Sequence, residues 1–167
     1  MIFENYEWQE LENFSSQYIM IILIKNKDTL IFDDFKFRCC VGKEGFSKNK
    51  MEGDKKTPIG TFALENLYFR KDRKKKPQTD LKVIEINKTM GWCDDIRSEK
   101  YYNKLIKINS TLKHEKLFRR DYKYDLFIPI KFNWGNPRLG IGSAIFIHLT
   151  KSYNPTAGCI GLAEKIF

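Results

Sequence analysis

The stretch Ala144-Ile145-Phe146-Ile147-His148, followed after a short polar segment by Thr156-Ala157-Gly158-Cys159-Ile160-Gly161-Leu162, decides how this chain is read. Ala144 to Ile147 is a continuous apolar run, which predicts a buried strand with a histidine at its end. The segment that follows contains Asn154-Pro155, which is turn chemistry, and a second apolar run starts directly after Cys159. A strand, a reversing loop and a return would bring His148 and Cys159 side by side. A thiol becomes a good nucleophile only on losing its proton, and a neighbouring imidazole is the usual means. Gly158 before the cysteine permits a backbone turn that other residues resist, or close approach of a substrate. A buried cysteine can equally well be a space-filler, and a His–Cys pair without further ligands makes a poor zinc site. The rest of the chain has to decide between these readings.

A chain of 167 residues with 42% apolar content predicts one domain with a real core. The net charge of +9 points to an anionic partner: nucleic acid, an anionic surface, or an anionic polymer such as a cell wall. No nucleic-acid-binding motif accompanies the charge, so nucleic acid is not the expected partner. The densest basic run, Arg70-Lys71-Asp72-Arg73-Lys74-Lys75-Lys76, reads as a solvated loop before Pro77. The four cysteines, Cys39, Cys40, Cys93 and Cys159, do not form a disulfide framework pattern or a CxxC zinc pair. Adjacent Cys39 and Cys40 would point to opposite faces of a strand. Met1 to Gln17 is acidic and aromatic and lacks the marks of a secretory signal. The apolar run Tyr18 to Ile24 is too short to span a bilayer.

Along the chain, a short helix is expected over 7–14. Strands are expected over 18–24, 29–32, 35–41, 62–69, 81–86, 124–130 and 144–148. Gly91-Trp92-Cys93-Asp94-Asp95 reads as a turn with an aspartate cap opening a helical or irregular piece through Tyr102. Residues 113–118 read as a helical turn. Asn133 to Gly142 is a loop rich in Gly, Pro and Asn. Short strands at close spacing predict a mainly-β fold, a sandwich or barrel with a few short helices.

Two motifs then combine: Thr57-Pro58-Ile59-Gly60-Thr61-Phe62, and His148 with Thr156-Ala157-Gly158-Cys159. Together they resemble the catalytic domain of L,D-transpeptidases, the cysteine enzymes that cross-link bacterial peptidoglycan. Glu52-Gly53-Asp54, the Gly91–Asp95 segment, Tyr124-Asp125-Leu126 and Gly142-Ser143-Ala144-Ile145-Phe146 are similar to a compact, single-domain bacterial branch of that family. The resemblance implies a catalytic domain over 18–167 behind an N-terminal extension, 1–17. It implies Cys159 as nucleophile, His148 as general base, and Gly158 and Thr156 as the shapers of the nucleophile loop. Backbone amides at Gly158 and Cys159 are the candidate oxyanion donors. No metal or other cofactor is implied. The partner implied is a peptidoglycan stem peptide, and the compartment is the cell envelope or periplasm; no export signal is legible, and the oligomeric state is open. Relatives often carry His where Ala157 stands and Asn or Arg where Gly161 stands. They also continue beyond the equivalent of Phe167, so the expectation is a domain cut short at its C-terminus.

The resulting expectation is a cysteine-dependent acyltransferase in cell-wall cross-linking. Two alternatives stand beside it: an L,D-carboxypeptidase using the same site with water as acceptor, and a non-catalytic module that holds an anionic polymer. An activated Cys159, quick to react with thiol probes near neutral pH, would separate enzyme from binder. Trp92 is a candidate groove wall or a buried aromatic, and Arg138 a candidate clamp for a substrate carboxylate. His114 is a candidate substrate contact or a plain surface residue. Asp94 and Asp95 read as a cap more readily than as an acid–base pair, and Cys93 as structural. The Thr57-Pro58-Ile59-Gly60 segment is expected to support the site and not to do chemistry, so that Thr57→Val would leave a folded enzyme active.

Overall fold

The computed structural model describes residues 20–108 and 111–167. The expected helix over 7–14, the N-terminal extension and the first residues of the expected strand over 18–24 lie outside the described residues. In chain order the strands are β1 (Ile22–Lys25), β2 (Thr29–Phe32), β3 (Phe35–Cys40), β4 (Phe46–Ser47) and β5 (Thr57–Pro58). There follow β6 (Leu67–Phe69), β7 (Val83–Glu85), β8 (Met90–Cys93), β9 (Leu105–Lys107) and β10 (His114–Lys116). The last three are β11 (Leu126–Pro129), β12 (Phe146–Leu149) and β13 (Ile160–Leu162), followed by a 3-10 turn over Glu164–Ile166. The fold is mainly β, as expected.

Eight strands form one mixed sheet in the order β1-β2-β3-β13-β12-β11-β6-β7. β12 at its centre is buried along its whole length, as the apolar run Ala144 to Ile147 requires. Alternation along the strands gives each face its own core. One face carries Ile147, Ile160 and Leu162 with Cys39, Val41, Ile24 and Leu30. The other carries Phe146, Phe127, Tyr68 and Tyr124, and on it lie Trp92 and Leu117, from or beside the three-stranded sheet β10-β8-β9. The sandwich is therefore unequal: eight strands against three. Cys39 faces the first core, while Cys40 faces the second side against Gly161, whose missing Cβ would stand 2.6 Å from the Cys40 sulfur. All four cysteines are buried and free.

Three local expectations need correction. Gly91-Trp92-Cys93 is strand and not turn, because β8 pairs on both sides, with His114–Lys116 and with Leu105–Lys107. For the same reason residues 114–116 are strand and not a helical turn. The cap reading survives one step later, where the Asp95 carboxylate accepts from the Arg97 and Lys113 amides at 3.0 Å each. The path over 62–69 does follow β11, with Lys131 N donating to Ala63 O and Glu65 N to Pro129 O, both at 2.9 Å. Pro129 has no N–H to return, so the ladder breaks there and regular strand resumes only at Leu67.

Arg70, expected in solvent, is 2% exposed. Its guanidinium lies 3.4 Å from the centre of the Phe118 ring, donates to Arg119 O at 2.6 Å, and grips Asp72 with two bonds of 2.7 and 2.6 Å. Arg73 donates to the carbonyls of Asp121 and Arg120 and to the Asp125 carboxylate. The start of the basic run is thus a clamp on residues 118–125. Among the described residues, no helix is long and apolar enough to cross a membrane.

Candidate active site

β12 and β13 are parallel, with Ile147 opposite Ile160 and His148 opposite Gly161. The chain does not simply return on itself, as the sequence suggested. It loops back over residues 150–159 and enters β13 in the same direction. The loop is tied down at several points. Thr150 N donates to Leu162 O at 2.7 Å, Thr156 N to Val41 O at 2.9 Å, and Lys43 N to Thr156 O at 2.9 Å. The parallel register sets Cys159 beside Phe146, whose amide donates to the sulfur at 3.4 Å. Residues two apart on a strand share a face, so Cys159 and His148 face the same side, offset by one such step of about 6.6 Å. Both open into one cavity of about 400 Å³.

The nucleophile loop is held by hydroxyls. The Thr156 hydroxyl accepts from Gly158 N at 3.1 Å and donates to Cys159 O at 2.6 Å. Gly158 sits at φ +139°, and a Cβ there would lie 2.9 Å from Lys56 O, so the position demands glycine. Thr57, 1% exposed, donates from its hydroxyl to Gly158 O at 2.8 Å and accepts from Gly42 N at 2.9 Å. The Thr-Pro motif is therefore a brace for the nucleophile loop, and its hydroxyl is the bracing atom. Because the Gly158 amide already serves Thr156, it is not free to act as an oxyanion donor.

His148 is buried. Its Nδ1 lies 3.0 Å from Leu149 O, so Nδ1–H donates there and Nε2 is left with the lone pair. Burial lowers its pKa below the usual 6.5, with the Lys123 and Arg119 charges acting in the same direction and the Leu149 bond opposing. The imidazole rests neutral. Burial pushes the Cys159 thiol up to about 12; the Glu115 charge adds to this, while the Phe146 amide and Lys50 oppose it. The thiol donates to Ala144 O at 3.3 Å rather than to His148, and Ala144 adopts φ +52° to present that carbonyl. The resting pair is thiol and imidazole, not thiolate and imidazolium. The thiol keeps its proton at rest because desolvation outweighs the local donors.

A family model for YkuD, the L,D-transpeptidase catalytic domain, matches residues 13–167. The chain belongs to the L,D-transpeptidase catalytic-domain family. Neither the curated proteins nor the solved structures gave a match. Members of the L,D-transpeptidase family are typically enzymes, and they act on peptidoglycan.

The other residues singled out in the sequence fall away from the cavity of this L,D-transpeptidase domain. Trp92 is 1% exposed, donates from its indole to Asn103 Oδ1 at 2.9 Å, and packs edge-on to Phe146. It is buried in the core and does not line this cavity, but with Trp134, 5.7 Å away ring to ring, it borders a second cavity of about 270 Å³. Arg138 is exposed on the loop over 133–142, its amide bound by the Asn133 side chain, and does not line the cavity. His114 is half-buried with Nδ1 2.7 Å from Leu112 O, and it too is outside the lining. Successive strand residues face opposite ways, so on β10 it is Glu115 that reaches the cavity. Glu115, Arg119, Lys123 and Tyr124 are lining residues that sequence reasoning missed. Reading His114–Lys116 as strand would have exposed Glu115.

Proposed function

We propose that this L,D-transpeptidase domain is a cysteine acyltransferase acting on peptidoglycan stem peptides in the cell envelope. What carries the reading is the parallel β12–β13 pair. It puts a thiol and an imidazole with one committed tautomer on the same face, at the mouth of one cavity. In the first half-reaction, the Cys159 sulfur attacks the peptide carbonyl that precedes a terminal D-amino acid. The thiol proton passes to His148 Nε2 and from there to the departing amine, leaving a thioester on Cys159. In the second half, an acceptor amine attacks the thioester. Its proton returns through His148 to sulfur, restoring the thiol and forming the new amide. The Phe146 amide beside the sulfur steadies the developing thiolate, and the Cys159 amide is the oxyanion donor we assign from the nucleophile loop. Arg119 and Lys123 suit an anionic substrate, in keeping with the +9 net charge.

The test is release of the terminal D-amino acid from a tetrapeptide stem. Cys159→Ala abolishes it. Cys159→Ser leaves little, because a hydroxyl is far less acidic than a thiol and this imidazole is not raised to meet it. Both variants fold with unchanged far-UV spectra. Substantial release by folded Cys159→Ala would remove the sulfur from the chemistry.

A further inference from the structure

The second cavity, of about 270 Å³, is walled by Trp134, Trp92, Leu105, Pro137, Lys104 and Glu65. Ligand sites usually start at about 300 Å³, so this one suits a single ring. Trp134 is 36% exposed, and its ring stands 5.7 Å from that of buried Trp92. An open indole is thus backed by a second indole. Buried Asn103 fixes both. Its Nδ2 donates to Phe132 O at 3.0 Å and Asn133 O at 2.8 Å, directly before Trp134, and its Oδ1 accepts from Trp92 Nε1 at 2.9 Å. The same Oδ1 accepts from Ala144 N at 3.0 Å, and Ala144 O accepts from the Cys159 thiol at 3.3 Å. Asn103 lines the second cavity and Ala144 the first, so one side chain ties the indole platform to the nucleophile.

The rim offers hydrogen-bonding groups of both kinds. Glu65 keeps acceptor sites beyond its 3.0 Å pair with Lys131, and Lys104 Nζ keeps N–H groups beyond its 3.0 Å bond to Lys100 O. A flat apolar face edged by donors and acceptors complements a pyranose, which has C–H bonds on its faces and hydroxyls around its edge. Resting on the acyl-transfer reading above, we infer that this cavity is a saccharide subsite. Trp134 stacks on one sugar ring of the glycan that carries the stem peptide, Glu65 and Lys104 bond its hydroxyls, and the stem enters the catalytic cavity. The domain therefore favours a stem on its glycan over the free peptide. The sugar is remote from the reacting carbonyl, so its binding acts on KM and not on the bond-making steps.

Binding is tested without turnover, by titrating isotope-labelled Cys159→Ala under NMR with chitobiose, an uncharged disaccharide of N-acetylglucosamine. The indole N–H resonances of Trp134 and Trp92 shift saturably. Adding Trp134→Ala abolishes the Trp92 shift, and adding Trp134→Phe, which keeps an aromatic face, retains part of it. No shift, or a Trp92 shift that survives Trp134→Ala, overturns the assignment. So does an equal response to adenosine, which would mark a site for flat rings in general. In turnover, wild type prefers a disaccharide-tetrapeptide to the free tetrapeptide. Trp134→Ala lowers that ratio of kcat/KM values about tenfold, through KM, as expected for the loss of one stacked ring. An unchanged ratio in folded Trp134→Ala refutes the subsite. If chitobiose binds as described and no stem acylates Cys159, the acyl-transfer reading fails and the subsite stands. If stems acylate Cys159 and chitobiose does not bind, the subsite fails and the acyl-transfer reading stands.

Discussion

Thr57→Val removes one hydroxyl and almost no volume, and it tests how the nucleophile loop is braced. The hydroxyl joins Gly42 N, at 2.9 Å, to Gly158 O, at 2.8 Å, in a place where the side chain is 1% exposed. Valine fills the space but leaves a buried amide and a buried carbonyl without their partner. Each orphaned group costs about 1–3 kcal/mol, so the pair costs roughly 3 kcal/mol once some relaxation is allowed. For a domain of this size that lowers the melting temperature by about 6–12 °C. Thr57→Ser keeps the hydroxyl and loses a buried methyl, which costs about 0.8 kcal/mol. The assay is a pair of thermal melts beside D-amino acid release measured well below both transitions. The folded valine variant also loses activity, because Gly158 O is the restraint next to Cys159. This departs from what the sequence alone suggested, that the folded Thr57→Val enzyme would stay largely active. A valine melt within about 1 °C of wild type would refute the brace, and so would serine and valine variants that fall equally.

Arg70→Met keeps most of the packing on Phe118 but leaves Arg119 O unpaired in a part-buried place and removes the grip on Asp72, so it destabilises by about 1–2 kcal/mol in urea unfolding. Arg70→Lys does not restore the loss, because an ammonium cannot reproduce the planar grip on Asp72 and the carbonyl together; a fully rescued lysine variant would contradict the clamp. The pH dependence of kcat/KM follows from His148. Burial disfavours the imidazolium, so the pKa is lowered and the neutral base persists as pH falls past 6.5. The acid limb of the profile therefore lies below pH 6.5, and a limb above that value would assign the base to another group.

The parts of the fold that were legible in the sequence are those where local chemistry and tertiary packing agree. The apolar run Ala144–Ile147 leads into the central strand, which starts at Phe146 and runs through His148 to Leu149. Ile22–Lys25 and Thr29–Phe32 flank the Asn26-Lys27-Asp28 turn and become a hairpin. The pairing of His148 with Cys159 in one site was legible because few residues separate them and each stands at the end of an apolar run. What was illegible depends on distant partners. Met90–Cys93 and His114–Lys116 have little strand propensity of their own and are strands only because each completes the other's ladder. Arg70 sits in a run of charges, and only Phe118 and Arg119, far along the chain, make it a buried clamp. Glu115 was hidden for the same reason as its strand. The protonated state of Cys159 could not be read at all, since it follows from burial and from a charge contributed by β10.

The most direct test of the catalytic reading is intact-protein mass spectrometry of the wild type after rapid mixing with a tetrapeptide stem. The expected result is a covalent adduct equal in mass to the stem without its terminal D-amino acid, located on Cys159 by peptide mapping and absent from Cys159→Ala. It should discharge when an amino-acid acceptor is added. A protein that turns the stem over without any Cys159 adduct, or an adduct that maps to Cys93, would contradict the reading.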